Sequence, residues 1–199
     1  MKRIVIGTAL AATGLMLLPA TSLAFKFGAK LNRQPDNSAP AHSCADDGGE
    51  LASPCTRVLV SSETGLAGGH LTAPRNGVIT AFKVRAGGPG SIKFKLVRLK
   101  NLNIATRSAK GRAVKKTKTF QVQGNGFNSS NFIETFSVNL KVKKGDYIGV
   151  DSSTTAAERC TQGSVRQLMW SPPLKIGDPF RTNQGNGNCT LMVQAVGHK

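Results

Sequence analysis

Residues 132–153, FIETFSVNLKVKKGDYIGVDSS, decide the fold class. Phe132, Phe136, Val138, Leu140 and Val142 fall on one parity, and Ile133, Thr135, Ser137, Asn139, Lys141 and Lys143 on the other. A period of two marks a strand with one buried face. Lys144-Gly145-Asp146 supplies turn chemistry, since glycine reaches backbone angles closed to other residues and aspartate bonds to nearby backbone. Tyr147-Ile148-Gly149-Val150 then starts back, so the stretch reads as a hairpin.

Working outward, the same signature recurs. Residues 56–61 (TRVLVS) are a short β-branched run. Residues 78–86 place Val78, Thr80, Phe82 and Val84 inward, with Ala81, Lys83 and Arg85 outward. In 91–100 (SIKFKLVRLK), Ile92, Phe94 and Leu96 alternate with Lys93 and Lys95, and then Val97 and Leu99 take over the apolar phase against Arg98 and Lys100. A bulge at Leu96-Val97 is expected there, keeping all four cations on the solvent face. Residues 101–111 read as a basic polar loop. Strands are also expected at 113–123, 166–170 and 189–196, with Gly, Asn and Pro between them. No stretch carries a 3.6-residue apolar period, and no fixed-length repeat appears. The expected fold is all-β: an antiparallel β-sandwich, jelly-roll-like, of about eight strands.

The chain opens with a leader pattern. Lys2 and Arg3 precede a mostly apolar run, and Ser22 and Ala24 place small residues where signal peptidase cuts. Residues 1–24 are read as a signal peptide, 25–54 as an extended N-terminal segment without apolar period, and 55–199 as the sandwich domain. Cleavage leaves 25 basic residues against 10 acidic, a net +15, and no further run long enough to span a membrane. The expected location is extracellular or at the cell surface.

Cys44, Cys55, Cys160 and Cys189 all lie in the mature chain, and an even count in an exported protein reads as disulfides. Three pairings are possible; Cys44–Cys55 with Cys160–Cys189 is favoured because each closes a local loop. Zinc is disfavoured, because no CxxC is present and His42 and His70 sit at no finger spacing. Asp46, Asp47 and Glu50 offer oxygens but lack the spacing of a calcium loop, so a solvated turn is the simpler reading. Neither a metal nor a cofactor is expected.

Charge is distributed unevenly. Residues 64–133 contain 13 Lys and Arg and no acid, and ten of those cations fall between Lys93 and Lys118. Such a one-sign surface concentrates anions. Lys93, Lys95, Arg98, Lys100, Lys115, Lys116 and Lys118 are therefore the candidate contacts for an anionic polysaccharide or cell-wall polymer. Sequence-specific nucleic-acid binding is not expected, because Phe82, Phe94, Phe120 and Phe136 all fall in the inward phase. Nothing in the sequence sets an oligomeric state.

Catalytic signatures are missing: there is no GxSxG elbow and no phosphate loop. Glu134 is the odd residue, an acid in the inward phase, with Asp151 or Glu158 as partners for glycoside hydrolysis; the plainer reading is a strand-end acid bonded to backbone. Tyr147 and Trp170, the sole Tyr and Trp, are candidates for stacking on a neutral glycan.

TAPRNGVITAFKVRAGGPGSIKFKLVRL, followed by FSVNLKVKKGDYIGVD and a late cysteine, resembles uncharacterised secreted β-sandwich proteins of actinobacteria. Pro74, Gly77, Ile79, Phe82, Val84, Gly90, Val97, Arg98, Val142, Gly145, Asp146, Ile148 and Gly149 carry the resemblance, which covers about residues 55–196. It implies the fold and transfers no catalytic or ligand residue. The expected function is a secreted, non-enzymatic binding or structural protein contacting anionic envelope polymer. A carbohydrate-binding module and, behind it, a glycoside hydrolase are the alternatives.

Overall fold

The computed structural model describes residues 23–35, 45–46, 49–50, 54–124, 132–152, 157–160 and 164–199. The chain begins with β1 (Ala24–Gly28), the short arms β2 (Ala45–Asp46) and β3 (Gly49–Glu50), and β4 (Thr56–Leu59). Its middle forms β5 (Gly77–Val84), β6 (Gly90–Asn103), β7 (Ser108–Lys116), β8 (Phe120–Val122), β9 (Glu134–Val142) and β10 (Tyr147–Ser152). The last part forms β11 (Glu158–Cys160), β12 (Gln167–Trp170), β13 (Arg181–Thr182), β14 (Gly185–Gly187), β15 (Cys189–Leu191) and β16 (Val193–His198).

Two antiparallel sheets make the body, a β-sandwich-like arrangement as the alternation requires. One has the order β1-β16-β5-β9; the other runs β13-β7-β6-β10-β4-β12-β14, with β8 beside one end of β6. Phe27, Ile79, Phe82 and Val84 of the first sheet meet Leu59, Ile92, Phe94, Leu96 and Ile148 of the second in the main core. At its centre Phe82 and Phe94 stack with ring centroids 4.3 Å apart. Aromatic pairs of this kind contribute about 0.5–1.5 kcal/mol beyond the area they bury.

The second sheet also curls. Trp170 on β12 packs against Gly111 on β7, although three strands lie between them in the sheet order. β13 pairs with β7 at one edge, and β14 pairs with β12 at the other. Residues 181–187 thus bridge both edges and close the curl around a second core of Val58, Val97, Ala113, Leu168, Trp170 and Leu174. Trp170 is fully buried and donates its indole N–H to the Arg181 carbonyl at 2.8 Å. β6 therefore has a core on each face: Ile92, Phe94 and Leu96 enter the sandwich, while Val97 and Leu99 enter the curled sheet.

That geometry revises the reading of residues 91–100. β6 alternates without interruption against β10, with Leu96 opposite Ile148 and Val97 opposite Tyr147. The extra residue at this level is Val114, on β7. The apolar phase changes because the buried side changes, so Lys93 and Lys95 point to the opposite face from Arg98 and Lys100.

The expected hairpin at 132–153 is likewise corrected. β9 pairs with β5, and β10 pairs with β6 and β4, so the turn passes from one sheet to the other. Gly145 adopts φ +85°. The turn is held by neighbouring chain: Gly145 N–H donates to the Ala73 carbonyl and Ala73 N–H to the Asp146 carbonyl, each at 2.9 Å. Alternation along β9 is as expected, with Glu134, Phe136, Val138, Leu140 and Val142 on the inner side, but Phe132 precedes the strand and is exposed.

Other expectations shift with the tertiary packing. Phe25, Phe27, Ala29 and Leu31 alternate into the core, so the N-terminal segment begins as a strand paired with β16. On β5 the inward set is Ile79, Phe82 and Val84, because Thr80 is an extra residue against β16. Arg85, expected outside, is buried and donates to the Leu31 carbonyl at 3.1 Å. Residues 101–111 are mostly the tip and second arm of the β6–β7 pair, and 113–123 divides between β7 and β8.

Cys160 and Cys189 lie directly opposite on β11 and β15 and form a disulfide. A loop of 29 residues closed this way stabilises by on the order of 3 kcal/mol in the chain-entropy model. Cys55 is also disulfide-bonded; its expected partner Cys44 lies outside the described residues, as do residues 1–22 of the leader pattern and His42. Asp47 lies outside them as well, and the side chains of Asp46 and Glu50 are not described.

The closeness of Gly111 to Trp170 gives a direct test. A Cβ at position 111 would lie 2.7 Å from Trp170 Cζ2. Gly111→Ala is expected to lower unfolding free energy by about 1–3 kcal/mol through overpacking. Urea denaturation checks this; an unchanged midpoint would contradict the closed curl.

Candidate functional site

The ten-cation stretch is sorted by strand parity. On the inner face of the curled sheet lie Lys93 and Lys95, with Lys116 opposite Lys95. Lys95 is buried, contrary to the expectation that it faces solvent. Its Nζ lies 2.6 Å from Asp151 Oδ2 and donates to the Leu174 carbonyl at 2.6 Å and to Thr56 Oγ1 at 3.0 Å. Burial pushes the Lys95 ammonium below its ordinary pKa, and its bond to Asp151 resists that shift.

On the outer face lie Arg98 and Lys100 of β6, directly opposite Arg112 and Lys110 of β7. Arg98 is half-buried and donates to the buried Asp146 at 2.9 Å. Asp146 also accepts the Lys143 N–H at 2.9 Å, so Arg98 helps hold the sheet-to-sheet turn. Phe180, just before β13, lies beneath both Lys100 Nζ and the Arg112 guanidinium, at 4.4 and 4.7 Å from its ring centroid. Cation–π contact fixes these two side chains without neutralising them. Lys115, Lys116 and Lys118 are exposed toward the end of β7, Lys118 with its Nζ 5.5 Å from the Phe120 ring.

Like charges set directly opposite across a strand pair oppose folding. Here Lys95 and Arg98 are compensated by acids, and Lys100 shares Phe180 with Arg112. Their opposites on β7, Lys116, Arg112 and Lys110, form no ion pair with a described carboxylate. Every acid whose side chain is described is engaged inside the molecule. Glu63 pairs with Arg159 at 2.6 Å, Glu158 with buried Arg57, and Asp178 accepts from Lys175 N–H at 2.9 Å. Asp146 and Asp151 are accounted for above. Glu134 accepts backbone N–H groups of Gln123 at 3.1 Å and Gly124 at 3.0 Å.

Glu134 thus fastens the chain after β8 to the start of β9, the bonding expected of a strand-end acid. Neither Asp151 nor Glu158 joins it: one binds Lys95 and the other Arg57. Trp170 has no exposed face for a sugar, which removes it from the stacking candidates. Tyr147 is half-buried against Val97 and the second core. Glu158, Cys160 and Cys189 place one ligand atom each within 4.8 Å of one another, but both sulfurs are consumed by their mutual bond.

Sequence reasoning missed Lys110, Arg112 and Phe180. The two cations were visible within the run, but Lys110 was assigned to the loop 101–111 and Arg112 fell between that loop and the expected strand 113–123. Phe180 carries no local signal, because its place beside β7 depends on the distant pairing of β13. No family model matches the chain, nor does any curated protein or solved structure. Among the described residues no helix is long and apolar enough to cross a membrane. The Cys160–Cys189 bond suggests an oxidising, extracellular environment.

As the sole tyrosine, Tyr147 reports on the second core. Burial raises its phenol above the ordinary 10.0. The folded state then holds its proton more tightly than the unfolded state, so stability is retained below pH 10 and lost as pH rises through the folded pKa. Absorbance titration of native protein is expected to place phenolate formation above that of the denatured chain. Coincident titrations would contradict the packing.

Proposed function

We propose that this chain is an exported, non-catalytic protein that binds an anionic cell-envelope polymer along β7 and its flank. The observation carrying this reading is the imbalance of the surface: described carboxylates are bound internally, while Lys100, Lys110, Arg112, Lys115, Lys116 and Lys118 stand on or beside one strand without acidic partners. A polyanion laid along β7 would offset the repulsion built into the Arg98/Arg112 and Lys100/Lys110 pairs. The Lys100–Phe180–Arg112 stack presents two cations in a fixed relation, limiting the side-chain entropy lost on binding. Export is supported by the leader pattern of residues 1–24 and by the disulfide.

Chromatography of the mature protein on immobilised heparin tests the reading. Retention is expected and should fall steeply as salt rises, since exposed charge contacts are screened. The triple variant Lys110→Glu, Arg112→Glu, Lys116→Glu should weaken binding by about tenfold or more. Arg98→Ala, which removes a cation engaged with Asp146, should elute near the wild type. Unchanged retention of the triple variant would overturn the proposed surface.

A further inference from the structure

Lys95 is the one lysine buried among the described residues. It lies on β6 opposite Gly149 of β10, in a space walled by Val97, Thr56 and Val58. A Cβ on Gly149 would come within 2.8 Å of Val97 Cγ2, so the site depends on that missing side chain. Asp151, two residues along β10, shares the face. Its side chain is 17% exposed and that of Lys95 4%. Thr56 Oγ1 accepts from Lys95 Nζ at 3.0 Å and from Leu174 N–H at 2.9 Å, and donates its own proton to Asp151 Oδ1 at 2.6 Å. The Leu174 carbonyl fixes the amine from a further direction at 2.6 Å. Amine and carboxyl are thus held within 2.6 Å in a nearly dry pocket, with a hydroxyl aimed at the carboxyl oxygen that the amine does not touch.

We propose that Lys95 and Asp151 are a site of self-catalysed covalent crosslinking, an amide joining Lys95 Nζ to Asp151 Cγ. A proton passes from the ammonium to Oδ2, leaving a neutral amine and a carboxylic acid. The Nζ lone pair attacks Cγ while the Thr56 hydroxyl stabilises the charge that develops on Oδ1, as an oxyanion donor does. The Cγ–Oδ2 bond breaks, and Oδ2 leaves as water with two of the three original ammonium protons. The third stays on the amide nitrogen. Nothing is oxidised or reduced, and no co-reactant is needed. Burial, the largest influence on Lys95, favours the neutral amine that the step requires against the pull of the Asp151 carboxylate, and the Lys93 and Lys116 charges add to it. The product keeps the network satisfied, since the amide N–H still faces the Leu174 carbonyl and the new carbonyl still accepts from Thr56. It also removes two charges whose desolvation is costly. Contact pre-arranged in this way supplies much of the effective concentration an intramolecular amide needs. The crosslink would join β10, at the centre of the curled sheet, to its neighbour β6 by a bond that reducing agents leave intact.

Intact-mass analysis of the purified, reduced and denatured protein, with its N-terminus determined, decides the matter. The expected result is a chain lighter by one water than its calculated mass, and a branched tryptic peptide joining Lys95 to Asp151. Lys95→Met should restore the full mass. Asp151→Asn should form the same amide by losing ammonia instead of water. Recovery of the wild-type chain at full mass, with Lys95 and Asp151 in separate unmodified peptides, would overturn the proposal. So would a loss of water that persists in Lys95→Met. The wild-type measurement requires no variant to fold, and its outcome is independent of polymer binding.

Discussion

β6 is buried on both faces through its middle, and the rest of the molecule is arranged around that constraint. One face supplies Ile92, Phe94 and Leu96 to the sandwich; the other supplies Val97 and Leu99 to the curled sheet. A strand covered on one side only would leave its second apolar set in water, at about 1.5–3 kcal/mol for each large side chain. Curling of the sheet around Trp170 and its closure by residues 181–187 remove that cost. The same constraint traps Lys95, whose parity is that of Val97. A lysine held there must find partners, and Asp151, Thr56 and the Leu174 carbonyl provide them.

The strand character and sandwich class were legible in the sequence because alternation is a local property. Residues 134–142 and 92–96 carry it plainly. What alternation does not encode is which strands pair. The turn at Lys144-Gly145-Asp146 has hairpin chemistry, yet its strands enter different sheets because Ala73 and Arg98 claim its backbone and carboxylate. The phase change at Leu96-Val97 has two physical readings, a bulge or a change of covered face, and only the position of Trp170 separates them. The cationic run was equally visible. Its division into a buried lysine, a turn-holding arginine and a surface set depends on pairings with β7, β10 and β13 that lie far away in sequence.

Seen this way, net charge is a poor guide to the site, and the fate of the acids is a better one. Each described carboxylate binds an internal cation or backbone N–H, which removes it from the competition for surface cations. The cations left on β7 are uncompensated by construction. Lys110, Arg112 and Lys115 stand on the outer side of a sheet whose inner side is filled, so the rigid core fixes the spacing of the charges they display.

The central claim is that the curled sheet encloses Lys95 through the middle of β6, while Lys116, its cross-strand neighbour at the end of β7, stays exposed. Amine acetylation of the native protein, followed by peptide mapping over time, reads this directly. Lys116 and Lys110 should be modified in the earliest samples while Lys95 stays unmodified. Modification of Lys95 at the rate of Lys116 would contradict the two-faced burial of β6 and the account built on it.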